Sequence, residues 1–144
     1  MRPEQQPVGL LLTRTARTVS RAFDDALAGA GGSLPVWLVL LAMKTRNLAS
    51  QRELAKAVGI KEATLTHHLS AMETAGLISR QRDPANRRIH IVELTPAGDE
   101  MFVTLRAAAI DFDQRLRGSI SEQEISRLRG LLAKLADNAK PAAG

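Results

Sequence analysis

The sequence predicts a mainly α-helical fold carrying one small β-hairpin. Three observations lead there. Apolar residues recur at three- and four-residue steps over most of the 144 positions. The period changes between Leu77 and Leu94, where two short runs flank a charged turn. Just before that hairpin lie two short helical segments joined through one glycine.

The first helix is marked by Val8, Leu12, Ala16, Val19, Phe23 and Ala26, each three or four residues from the last. Arg14, Arg17 and Arg21 share another face, and the cluster Gly29–Gly32 ends the helix. Ser33-Leu34-Pro35 restarts the chain, because proline suits a first helical turn. Val36–Met43 is apolar all round, which predicts a short helix at the centre of the core. Ser50 followed by Glu53 reads as a capping box opening the next helix, with Leu54, Ala55 and Val58 facing inward. Gly59 supplies a tight turn into a helix over Lys61–Ala75, with Leu65, Leu69 and Met72 inward and Gly76 at its end.

Leu77–Arg82 and Ile89–Leu94 then read as two strands around the turn Asp83–Arg87. Thr95 and Pro96 restart helix, with Asp99 and Glu100 placed to meet the positive end of its dipole. Phe102, Leu105, Ala109, Phe112 and Leu116 step 3, 4, 3, 4 to a break at Gly118. A second capping box, Ser121 with Glu124, opens a last helix stepping through Ile125, Leu128, Leu132 and Leu135. The order is that of a winged helix-turn-helix, the hairpin being the wing, with a long helix before it and two after it.

Composition narrows the function. Lys and Arg total 20 against 15 Asp and Glu, a net charge of +5, which favours a polyanionic partner. The absence of cysteine removes disulfides, thiol nucleophiles and thiolate metal sites. No apolar run reaches the roughly 18–20 residues of a membrane span, and Met1–Pro7 lacks the apolar segment of a secretory leader. A cytoplasmic protein without membrane contact is expected. Cofactors and metals are not expected either. A zinc site needs about four convergent ligands, whereas His67 and His68 are adjacent and point to different sides of a helix, and His90 lies on the hairpin.

The functional reading rests on two surfaces. With Leu65, Leu69 and Met72 inward, the helix over 61–75 turns Ala63, Thr66, His67, Ser70 and Thr74 outward, flanked by Lys61 and Thr64. Such small or hydrogen-bonding residues suit a helix that enters a major groove, whereas a solvated face would carry Glu and Lys. On the hairpin, Arg80, Arg82, Arg87 and Arg88 fall within nine residues. Arginines on a wing can enter an adjacent minor groove, and Asp83 and Asn86 are placed to brace the turn.

Helix-turn-helix 50–75, then Asp83-Pro84-Ala85-Asn86-Arg87-Arg88, then Leu94-Thr95-Pro96-Ala97-Gly98 together resemble the MarR family of winged-helix regulators. The resemblance covers nearly the whole chain. One departure stands out: Asn86 occupies the place of the family's usual Asp before the arginine pair, which weakens a charge-assisted bond and implies a less firmly held wing. The resemblance implies a homodimer that places two winged modules on one duplex with a pseudo-palindromic operator. The helical seams 102–116 and 125–135 agree, having no evident partner in so small a module unless a second subunit buries them. Residues 8–32 and 96–138 are then the dimerisation region and 33–95 the DNA-binding module, with 1–7 and 139–144 as flexible tails. The resemblance further implies repression, release by a small aromatic or anionic effector, and a cleft near Arg17, Arg21 and Trp37. The residues themselves favour a plainer account, with Trp37 in the core and the arginines solvated or facing DNA.

An enzyme is excluded by the lack of a glycine-rich phosphate loop, a cysteine, a paired carboxylate or a histidine beside a nucleophile. A winged helix used for protein–protein contact alone is the alternative, and there the wing arginines would be dispensable. RNA binding is disfavoured by an aromatic content of 3% without tyrosine, which leaves little for base stacking.

Overall fold

The computed structural model describes Arg2, residues 5–46, Leu48 and residues 50–142. The expected tails, 1–7 and 139–144, fall partly outside the described residues. The order is α1 (Val8–Gly29), α2 (Leu34–Thr45), α3 (Gln51–Val58), α4 (Glu62–Thr74), β1 (Ile78–Arg82), β2 (His90–Leu94), α5 (Pro96–Arg117) and α6 (Glu122–Ala139). This is the predicted mainly α fold with a two-stranded antiparallel wing, in register from Ile78 opposite Leu94 to Arg82 opposite His90. The chain divides into two compact units, residues 1–110 and 111–144.

In the first unit, α2 is the central helix, as its all-apolar sequence requires. Ser33 caps it by accepting the Val36 amide at 3.3 Å, and Trp37, Val39, Leu40, Ala42 and Met43 are buried. They join Leu27, Leu54, Leu65, Leu69, Met72, Ile78, Val92 and Leu105 in one core, each large side chain contributing roughly 1.5–3 kcal/mol of burial. The Trp37 ring stacks on Phe102, centroids 5.6 Å apart.

Two short helices need a turn between them that no β-carbon obstructs. Gly59 provides it at φ +80°, in the left-handed region where other residues are strained. The cap before α3 is only half the expected box. Ser50 Oγ accepts the Glu53 amide at 3.1 Å, but the Glu53 carboxylate bonds the Ser50 hydroxyl at 3.0 Å. Ser50 is bridged to Ile91 of β2, so its backbone serves the wing. The box at α6 is complete in both directions.

The wing is fastened where β2 ends and α5 begins. Thr95 Oγ1 donates to the Gly76 carbonyl at 2.6 Å and accepts the Gly98 amide at 3.0 Å. The Thr95 amide donates to the Leu77 carbonyl at 3.1 Å. A β-carbon at Gly98 would lie 2.1 Å from the Leu77 carbonyl oxygen, so this position of the Leu-Thr-x-x-Gly segment must be glycine. Gly98→Ala is expected to destabilise the fold by about 3 kcal/mol, the upper range for overpacking. A thermal melt checks this, and an unchanged midpoint would refute the close approach.

In the second unit, Phe112 and Ile125 are buried. Arg117 joins the two sides of the turn near Gly118, holding Asp113 and Glu122 at 2.9 Å each. Much of the rest of the expected seam is open in the single chain: Leu116, Leu128 and Leu132 are exposed, as are Ile120 and Leu131, while Leu135 is half-buried.

Candidate nucleic-acid interface

The outward surface of α4 follows from its inward one. Leu65, Leu69 and Met72 are fully buried, and at about 100° per residue this turns Ala63 and His67 to the opposite side. Ala63, Thr64, Thr66 and His67 are exposed and Ser70 is half-buried. Lys61, exposed, is the residue that caps α4, making no side-chain cap bond.

Two side-chain contacts hold this helix to its neighbours. Gln51, the first residue of α3, donates to Thr66 Oγ1, and Thr66 passes its own proton to the Glu62 carbonyl at 2.9 Å. On the wing side, Arg80 reaches Ser70 Oγ at 3.0 Å and Glu73 Oε1 at 3.3 Å. The Arg80 amide also donates to Glu73 Oε2 at 3.1 Å. Arg80, grouped by sequence with the wing contacts, is therefore engaged inside the protein, bracing β1 against α4.

The other three arginines differ. The wing turn is braced as expected, with Asp83 Oδ1 accepting the Ala85 amide at 2.8 Å and Asn86 Oδ1 accepting the Arg88 amide at 3.2 Å. The amide oxygen of Asn86 thus still supports the turn, without the charge of an aspartate. Arg82, Arg87 and Arg88 are exposed, and among the described residues none of them forms a salt bridge. The same holds for Arg52 on α3 and for Lys61.

Between the helices and the wing runs an open groove of about 980 Å³, lined by Gln51, Arg52, Ala63, Thr66, Asn86, Arg88 and His90, with the carboxylates of Glu53, Glu62 and Asp83 on its walls. It brings together Ala63, Thr66, Asn86 and Arg88 from the expected set. Gln51, Arg52 and His90 were missed in the sequence. The signal for the first two was the start of the first helix of the helix-turn-helix, the helix expected to cross a DNA backbone. For His90 it was a register exactly opposite Arg82.

Two of the three expected effector residues are brought together. Arg17 and Arg21 line an open groove with Ala16, Ser20, Asp24, Leu34 and Pro35. Trp37 is not on it, because its ring is buried against Phe102. Among the described residues no cluster of His, Asp or Glu could hold a metal ion, and no single helix is long and apolar enough to cross a membrane.

Comparison with known proteins agrees with this geometry. The MarR family profile matches residues 33–90, from the start of α2 through the wing turn. YdgJ of Bacillus subtilis (strain 168), an HTH-type transcriptional regulator, is 34% identical over 89 residues, 62% of this chain and 54% of that protein. The chain therefore matches about half the length of that curated relative. Among solved structures, the transcriptional repressor CouR of Rhodococcus jostii RHA1, bound to a 23-mer DNA duplex, superposes with TM-score 0.83 at 27% identity, covering 90% of this chain and 92% of that one. BpsR of Bordetella bronchiseptica, whose DNA binding is regulated by 6-hydroxynicotinic acid, gives TM-score 0.81 at 25% identity, covering 91% and 99%. These relatives are transcriptional regulators, not enzymes. On the family match, the fold and the wing together, residues 33–90 form a MarR family domain.

Proposed function

We propose that the protein is a cytoplasmic transcriptional regulator that binds a pseudo-palindromic double-stranded operator as a homodimer. The observation that carries this reading is the set of cations that form no salt bridge among the described residues, Arg52, Lys61, Arg82, Arg87 and Arg88, around the exposed face of α4. Arginines that form no ion pair beside a groove are poised for phosphates, and a protein–protein module has no need of them. In this reading Lys61, Ala63, Thr64, Thr66, His67 and Ser70 present α4 to the major groove. Arg82, Asn86, Arg87 and Arg88 serve the wing contacts, with Arg80 holding wing and helix together.

The homodimer is supported by apolar surface at both ends of the chain. Val8, Leu10, Leu11 and Leu12 on α1 are exposed, as are Leu128, Leu131 and Leu132 on α6. A soluble monomer rarely shows such concentrations, and a two-fold partner would bury them. Residues 8–32 and 96–138 are accordingly assigned to dimerisation, and 33–95 to DNA. Repression with release by a small aromatic or anionic molecule is the mode we assign, supported by the 6-hydroxynicotinic acid response of BpsR and the cationic groove at Arg17 and Arg21.

Fluorescence anisotropy with duplex from beside the gene, repeated over a range of salt, tests the reading. Each phosphate neutralised contributes about 0.9 to the slope of log affinity against log salt. Two copies of five cations therefore lead us to expect steep weakening as salt rises. Affinity that ignores ionic strength would refute duplex binding through this face.

A further inference from the structure

The outward residues of α4 do not have equal freedom to read bases. Thr66 spends its proton on the Glu62 carbonyl and accepts from Gln51. Ser70 Oγ holds the Arg80 guanidinium. Thr74 donates back to the Ser70 carbonyl at 3.0 Å. Thr64 and His67 are different: both are exposed, and among the described residues neither makes a side-chain hydrogen bond. His67 meets only the edge of the His68 ring, centroids 6.0 Å apart. They sit in the first half of α4, the part of a recognition helix that reaches base edges. His67 lies one turn beyond Ala63, on the side opposite the buried leucines.

We infer that Thr64 and His67, together with the neighbouring Ala63 methyl, determine which operator sequence is chosen, whereas Thr66 and Ser70 are positioning residues. This rests on the DNA-binding reading above. The imidazole has one ring N–H to give and one nitrogen to accept with, so it can donate to N7 or O6 of guanine, or serve the mixed acceptor and donor edge of adenine. Thr64 offers a hydroxyl and a methyl, and Ala63 a methyl, which fit the methyl group of thymine. Thr66 and Ser70 act through their neighbours instead. One ties α4 to α3 through Gln51, the other ties it to the wing through Arg80, and together they set the angle at which the reading residues arrive.

The test begins by selecting preferred duplexes from a random-sequence library with the wild-type protein. Every single base-pair change in the selected site is then measured against His67→Ala, Thr64→Ala, Thr66→Val and Ser70→Ala. His67→Ala and Thr64→Ala are each expected to lose discrimination on the order of 10-fold at one base pair per half-site, leaving the other positions as in the wild type. Thr66→Val and Ser70→Ala should weaken all duplexes alike with base preferences unchanged. His67→Asn, which keeps a donor and an acceptor, should shift preference toward adenine rather than relax it, and circular dichroism confirms that each variant is folded. The inference is overturned if folded His67 and Thr64 variants keep wild-type preferences, or if preferences move with Thr66 and Ser70 instead. A wild-type protein that enriches no duplex would overturn the DNA-binding reading itself, which is a distinct result.

Discussion

A chain carrying glutamate at both Leu128 and Leu132 is expected to run as a monomer and to lose at least about 100-fold in operator affinity. Both leucines are 40% exposed or more in the single chain and lie four residues apart on α6, on one stripe of the helix. If a second subunit covers that stripe, two carboxylates placed in it must be stripped of water where apolar side chains had packed, which the interface cannot tolerate. The loss in DNA binding follows from linkage of the two reading heads. When one head is bound, its tethered partner sees the second half-site at high effective concentration, a gain of roughly 10²–10⁴. A monomer forgoes that gain. Sedimentation velocity gives the association state, anisotropy gives the affinity, and circular dichroism shows whether the helices persist. A folded variant that remains dimeric would move the interface away from α6.

The second large effect lies on the wing. Arg87→Ala with Arg88→Ala is expected to weaken operator binding on the order of 10- to 100-fold, and to lower the salt slope by about 2 per protomer. The loss should fall almost evenly on matched and mismatched duplexes, since backbone and minor-groove contacts position the protein more than they discriminate. Fold stability should hold, because both side chains are exposed and neither forms a salt bridge among the described residues. Retained affinity in this variant would favour a winged helix that serves protein contacts. Arg80→Ala should behave differently, lowering the melting temperature as well as affinity, since it removes the guanidinium shared by Ser70 and Glu73 and leaves Glu73 only the backbone amide of residue 80.

How far the sequence was legible depended on the range of the interactions involved. Helices, caps and the hairpin are local, and residues three or four apart announced them, down to the Ser121 and Glu124 box. The buried face of α4 was legible for the same reason. Contacts between elements were not. Four arginines on a hairpin look alike in a string of letters, and which one is spoken for depends on Glu73 arriving beside Arg80. Gln51 meets Thr66 across fifteen positions, so the division of labour on α4 had no local sign. Ser50 supplies its half of a capping box and is also shared with β2, a pairing visible only once the wing has folded back. Trp37 illustrates the opposite case. A lone tryptophan invites a ligand, yet a helix apolar on all sides has to lie inside, and the ring went with it.

The joint at Thr95 and Gly98 has a mechanical consequence. With the Leu77 carbonyl so close that a single methyl would collide with it, and three hydrogen bonds crossing the same few ångströms, there is no slack between the hairpin root and the first turn of α5. A small tilt of that turn must swing the arginine tip through a larger arc, as a crank turns a long handle. Anything that nudges the start of α5 would then be felt at the far end of the hairpin as a change in reach.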